Sequence, residues 1–479
     1  MTENLSKNEI FSSVDAAWFH MNTPTNLALI TGFITFDTVL DFELLRATIE
    51  NRLLIQKRFR QRVKEDNQFP LLPAWEFDPN FNIDNHLSRI SLPEPCNDQE
   101  LQKLISDQMS YPFELNKPLW QFQFVDNYYQ GSALVCRIHH CVADGLGLVQ
   151  VLLSICDEEA GSSWPAKLEI DAKETQLSPL AEFLRPVVKA AMVTQHTLRK
   201  AELMAQQSLA TLTSPSRLIE TTSEARNVVW ALGKLVLLPP DKRTLFRGQC
   251  GTNKKVVWSA DINLDEIKNI GYRMGGTVND ILLSALTGAL RRYLEEHGEN
   301  AVGLNIRAVI PVNLRSPDDV DLLGNRFGLV YLTLPVGVRD PIKRLVILKR
   351  RMNVIKNSPE SIVAFGILEV TGLSPQIIQD IIGYIFGMKG SVVVTNVPGP
   401  PAPLYLAGGK IDTIMFWVPT PGYLSLGISI ISYSGKVLLG VLADEAVIVD
   451  PQYILRNFHE EFEYLKAWGH PPTINPLND

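Results

Sequence analysis

The run His139-His140-Cys141-Val142-Ala143-Asp144-Gly145 follows directly on Ser132-Ala133-Leu134-Val135-Cys136-Arg137-Ile138, and this junction constrains the fold more than any other part of the chain. The second segment reads as a buried strand. Successive side chains of a strand point to opposite faces, so His139 and His140 cannot share one task. One is expected to enter a cavity while the other packs into the body. Gly145 is expected to permit a sharp turn, and Asp144 to brace it with a hydrogen bond or ion pair. Leu148 to Ile155 then reads as a buried helix whose N-terminal dipole points toward the motif.

An imidazole with an unperturbed pKa of about 6.5 suits proton abstraction near neutrality. Two histidines and an aspartate also suggest a metal. Adjacent strand histidines diverge, however, so no metal site is expected. Cys141 beside His140 is awkwardly placed for a nucleophile and fits a small buried apolar residue. Asp144 fits an organiser of the loop better than a second base.

Length and composition narrow the setting. A chain of 479 residues is long for one domain, so two are expected. With 46% hydrophobic and 20% charged residues it lacks the signature of disorder. A formal net charge of −7 argues against nucleic-acid binding as a global property. Five cysteines without a framework fit reduced thiols in a cytosolic protein. The polar start Met1 to Lys7 carries no apolar signal region. Thr413 to Gly435 has no formal charge, but Pro419, Pro421 and Gly422 argue against a spanning helix. Leu424 to Tyr433 and Val437 to Leu442 read instead as a hairpin across Ser434-Gly435. Pro179 to Ser208 reads as a helical stretch carrying Arg185, Lys189, Arg199 and Lys200, either a crossover between halves or an interfacial helix.

The run His139 to Gly145 matches the HHxxxDG signature of the CoA-dependent acyltransferase superfamily. Other segments narrow the match: Val14-Asp15-Ala16-Ala17-Trp18-Phe19, Pro118-Leu119-Trp120 and Thr277-Val278-Asn279-Asp280. Further on stand Pro311-Val312-Asn313-Leu314-Arg315-Ser316, Gly324-Asn325-Arg326-Phe327-Gly328 and Thr395-Asn396-Val397-Pro398-Gly399-Pro400. In this order they make the chain resemble the bacterial wax ester synthase/diacylglycerol acyltransferase family, from about Ser12 to about Leu465.

The resemblance implies an α/β fold of two chloramphenicol-acetyltransferase-like lobes with a tunnel between them. The lobes are assigned to residues 1–175 and 252–479, with a crossover over 176–251. It implies an O-acyltransferase that moves a fatty acyl group from acyl-CoA, a substrate and not a cofactor, to a long-chain alcohol or diacylglycerol. His140 takes the role of general base, with His139, Asp144 and Gly145 in support; no cofactor is called for. Asn279 is a candidate polar contact near the reacting centre or a helix N-cap, and both readings stay open. Trp120 either lines the tunnel or belongs to the core. Asn396 is expected to shape the tunnel wall, and Gly366 and Ala364 to line the acceptor pocket. Arg315, Arg326, Lys254 and Lys255 are candidates for CoA phosphates. The expected setting is cytoplasmic, peripheral to membrane or lipid inclusions, without nucleic acid. A condensation-type enzyme using carrier-bound acyl groups and a non-catalytic lipid-binding protein are the alternatives.

Overall fold

The strand expected ahead of the histidines is the centre of a mixed sheet. We use a computed structural model that describes residues 9–65, 72–160, 233–315, 323–420 and 422–469. The first part runs β1 (Glu9–Ile10), α1 (Ser13–His20), β2 (Leu29–Phe36), α2 (Phe42–Thr48), β3 (Gln61–Lys64) and β4 (Ala74–Phe77). It continues through β5 (Leu87–Ile90), α3 (Asp98–Met109), β6 (Trp120–Tyr128), β7 (Gly131–His139) and α4 (Gly145–Ile155). The later part holds β8 (Lys254–Trp258), β9 (Ile262–Asn263), α5 (Leu264–Met274), α6 (Val278–Glu296), β10 (Ile306–Asn313) and β11 (Phe327–Leu334). Then come α7 (Pro341–Lys356), α8 (Glu360–Gly372), α9 (Gln376–Gly387), β12 (Val392–Pro398) and β13 (Tyr405–Leu406). The last elements are β14 (Gly409–Trp417), β15 (Leu426–Tyr433), β16 (Lys436–Asp444) and α10 (Gln452–Gly469).

Two large sheets carry the two lobes. The first has the order β13-β14-β2-β7-β6-β5, and the second β11-β10-β12-β15-β16-β8 with β9 beside β16. Every residue of β2 is buried, as a central strand covered on both faces requires. The hairpin expected across Ser434-Gly435 is β15–β16. Both turn residues take positive φ, the geometry that matches the twist of the flanking strands. Chain order does not follow the sheets: β13 and β14, from late in the sequence, extend the first sheet by pairing β14 with β2. The crossover expected over 176–251 lies largely outside the described residues, as does the stretch Pro179 to Ser208.

The lobes share a core. Phe33, Val135 and Trp417 of the first sheet pack with Val256, Ile431, Leu438 and Leu442 of the second. Burial of each such side chain is worth roughly 1.5–3 kcal/mol, so this seam holds the lobes in one register. In the second lobe α6 is apolar around most of its circumference and buried from Asp280 to Leu290, the pattern of a central helix. No helix among the described residues is long and apolar enough to cross a membrane.

Candidate active site

β7 ends at His139, and the chain keeps strand-like pairing for one more residue. His139 N–H donates to Leu119 O at 3.0 Å and His140 N–H to Ala28 O at 2.8 Å. The two rings therefore diverge, as alternation demands, but both are buried. His139 is held by its own strand end: Nδ1 accepts the Cys141 N–H at 3.2 Å and lies 3.1 Å from Cys141 Sγ. His140 packs in a corner of two aromatic rings that also touch each other, with centroids 5.7 Å apart. Trp18 of α1 stacks on it at 4.0 Å and 13°, and Phe327 of β11 approaches at 5.5 Å.

Burial keeps both rings neutral. It pushes His139 down to about 3, helped by the charge of His140. It pushes His140 down to about 4, opposed by Asp144, by the residue's own carbonyl and by the Asn325 side chain. A neutral imidazole is the form a general base needs. Burial raises the Cys141 thiol well above its ordinary value, so Cys141 is not a thiolate nucleophile.

Asp144 organises the turn. It is the N-cap of α4, where Oδ1 accepts the Gly147 N–H at 2.8 Å. Oδ2 accepts from Arg315 Nη2 at 3.0 Å and from the Arg326 N–H at 2.9 Å. A residue of the first lobe thus holds both ends of the β10–β11 connection. Gly145 does not supply the sharp turn expected of it. It has ordinary backbone angles and opens α4, and a Cβ there would meet only the Phe416 ring at 3.7 Å. The glycine that needs its freedom is Gly324, with φ of +91°, which pairs with Ala143 across the lobes. The α4 dipole expected to face the motif is already met by the Asp144 carboxylate.

The model of the wax ester synthase/diacylglycerol acyltransferase catalytic domain matches residues 11–282, and that of the family's C-terminal domain matches residues 323–466. The chain belongs to this family. It is 26% identical over 433 residues to tgs1 of Mycobacterium tuberculosis, named a probable diacylglycerol O-acyltransferase, covering 89% of this chain and 88% of that one. Among solved structures it is similar to the wax ester synthase/diacylglycerol acyltransferase of Marinobacter aquaeolei VT8, with a TM-score of 0.68, 18% identity and coverage of 96% and 99%. It is also similar to the first condensation domain of the calcium-dependent antibiotic synthetase, with a TM-score of 0.57, 14% identity and 98% of both chains covered. These likenesses establish the two-lobed α/β acyltransferase fold.

Within this acyltransferase the other expected site residues divide. Asn279 and Asn396 are brought together, Asn396 Nδ2 donating to Asn279 Oδ1 at 2.9 Å. Asn279 is not an N-cap. That role falls to Thr277, two residues earlier, whose hydroxyl accepts the Asp280 N–H while Asp280 returns a bond to the Thr277 N–H at 2.9 Å. Trp120 is core: it is fully buried, stacks on His86 and donates its indole N–H to Phe59 O at 2.8 Å. Gly366 faces open space, whereas Ala364 lies two residues along α8 and packs with Leu235 and Val363. About 100° per residue sets two such positions on opposed faces, so only Gly366 remains a lining candidate. Arg315 and Lys254 are committed to the internal carboxylates Asp144 and Asp444, which removes them as phosphate contacts. Among the described residues no cluster of three or more His, Cys, Asp or Glu side chains is arranged to hold a metal.

Sequence reasoning missed Trp18, Asp15 and Asn325 as parts of the site. Asn325 Nδ2 donates to Asp15 Oδ1 at 2.7 Å and to His140 O at 2.8 Å. The available signal was Asp15, an acidic residue inside the apolar run of α1, every residue of which from Val14 to Phe19 is buried.

Proposed function

We propose that this acyltransferase moves a fatty acyl group from acyl-CoA to the hydroxyl of diacylglycerol, a long-chain alcohol or both, with His140 as general base. The carrying observation is the buried His140 ring, held neutral by burial and packed against a corner formed by Trp18 of one lobe and Phe327 of the other. His140 takes the hydroxyl proton as the oxygen attacks the thioester carbonyl. The tetrahedral intermediate collapses with breakage of the C–S bond, and His140 returns the proton to the sulfur. The products are an ester and free CoA. General-base help supplies typically 10²–10⁴-fold; positioning and oxyanion stabilisation supply the rest.

The name of the mycobacterial relative supports diacylglycerol as acceptor. A structurally similar starter condensation domain of rhizomide synthetase in complex with C8-CoA supports an acyl thioester as donor. Donor and acceptor would reach His140 through a tunnel between the lobes. Asn279, whose Oδ1 is taken by Asn396, keeps its Nδ2 donor for the substrate. Gly366 would border the acceptor chain. Lipid contact would lie on α9, where Ile377, Ile381 and Ile385 are exposed while Gln379 turns inward. The setting would then be the cytoplasm, peripheral to a membrane or lipid inclusion.

The deciding assay gives purified protein labelled palmitoyl-CoA with hexadecanol and dipalmitoylglycerol as competing acceptors. Labelled triacylglycerol or wax ester with release of free CoA is the expected result. Transfer only from a carrier-bound acyl group would favour the condensation-type alternative. Lipid binding without transfer would leave a binding protein.

A further inference from the structure

The His140 carbonyl is held by a side chain from the other lobe, and that side chain is itself anchored by a buried carboxylate. Asn325 precedes β11 by two residues. Its backbone N–H donates to Asp15 Oδ1 at 3.1 Å, and its Nδ2 donates to the same oxygen at 2.7 Å and to His140 O at 2.8 Å. Both receiving atoms are acceptors only, so the amide nitrogen must face them and Oδ1 must face away. Asn325 and Asp15 are buried, at 4% and 6% exposure. Asn325 Oδ1 and His140 Nδ1 are each buried without a hydrogen-bond partner among the described residues.

We infer that Asn325 is the positioning residue of His140: it fixes the carbonyl through Nδ2, and Oδ1, the unpartnered end of the same amide, is the acceptor toward which the Nδ1 proton is drawn although no bond joins the two atoms in this structure, so that Nε2 is the basic nitrogen. Trp18, three residues after Asp15 on α1, fixes the plane of the same ring by stacking. Ring position and ring tautomer are then set together by α1 and by the segment entering β11. The direction in which the Asn325 side chain acts on the ring, toward the protonated form, agrees with this arrangement. At metal-binding histidines a partner on the other ring nitrogen is typically worth about 10–100-fold, and an effect of the same order is expected for the orienting partner of a base. The inference rests on His140 acting as the base.

The test compares four proteins in the transfer assay: wild type, Asn325→Ala, the exchange Asp15→Asn/Asn325→Asp, and His140→Ala. Melting temperature and circular dichroism are recorded for each. The exchange keeps the net charge and one amide–carboxylate contact between the two positions, but a carboxylate at 325 cannot donate to the His140 carbonyl. For Asn325→Ala, kcat should fall about 10–100-fold with KM within about threefold of wild type. The acid limb of its pH profile should move to lower pH, because an acceptor favouring the protonated ring is gone. The exchange should recover melting temperature but not kcat, and its acid limb should move to higher pH, because a carboxylate then faces the ring. Recovery of both melting temperature and kcat in the exchange would overturn the inference and leave Asn325 a fold contact only. So would a folded Asn325→Ala protein with wild-type kcat and pH profile while His140→Ala is inactive. Full activity of His140→Ala would instead remove the base reading itself.

Discussion

Two helices of this acyltransferase start in the same way by local criteria and differ in what the start is tied to. At α6 the capping box joins Thr277 to Asp280, and all its bonds lie within four residues. At α4 the cap is Asp144, and its second carboxylate oxygen reaches Arg315 and Arg326, 171 and 182 positions away. The first start is a local device that any helix uses. The second joins the lobes at the point where β7 delivers His140. A residue can therefore look like an ordinary cap and still be the pin that sets two halves of a site against each other.

The sharpest way to break that comparison is to remove each acid in turn. Asp144→Ala loses a cap worth about 1 kcal/mol and one partner of a buried ion pair, whose loss typically costs about 3–5 kcal/mol. Asp280→Ala loses only its half of the capping box, about 1 kcal/mol. Chemical denaturation should rank the two in that order, and only Asp144→Ala should also lose transfer activity at a temperature where it is folded. Equal losses would mean that the cross-lobe bonds of Asp144 carry no net stability.

The histidines make the α4 side of the comparison depend on pH. His139 and His140 have folded values near 3 and 4, below the unfolded value of about 6.5. The unfolded chain thus binds more protons between those limits, and stability falls as pH falls through that window. Each histidine contributes a slope of about 1.4 kcal/mol per pH unit where only the unfolded form is protonated. His140→Asn should flatten the decline of stability between pH 6 and pH 4.5 relative to wild type. An unchanged slope would show that the His140 ring is not held neutral in the folded protein.

The smallest effect is expected beside α6. Asn396→Ala removes a hydrogen bond between an exposed and a half-buried side chain and should change stability by less than about 1 kcal/mol. If Asn279 faces substrate through Nδ2, Asn279→Ala should lower kcat while Asn396→Ala mainly raises KM. Indistinguishable kinetics for the two would mean that the pair acts only as a contact between α6 and β12.

What the sequence made legible follows the same division. β7 and the hairpin β15–β16 are written in local patterns of alternation and turn residues and form where those patterns place them, whereas α4 starts at Gly145, three residues before the apolar run from Leu148 that announced it. Of the two readings open for Asn279, the cap is excluded because Thr277 offers the box, with Asp280 three residues on. Trp120 reads as either wall or core until its indole nitrogen is seen to donate to Phe59 O. The left-handed glycine of the site is not Gly145 but Gly324, on a segment that only the folded chain brings beside Ala143. Asp15, Trp18 and Asn325 gave no role in sequence because each acts on His140 from a distant part of the chain. The pairing of β14 with β2 was hidden for the same reason: local pattern specifies a strand but not its neighbour.

The proposed chemistry turns on a neutral His140 that takes the hydroxyl proton. Its most direct test is the single-turnover rate of ester formation by His140→Ala, beside wild type, with both shown folded by circular dichroism and melting temperature. A loss of about 10²-fold or more is expected with the fold retained. A folded variant that keeps more than about a tenth of the wild-type rate would contradict it, because a general base cannot be removed at so small a cost.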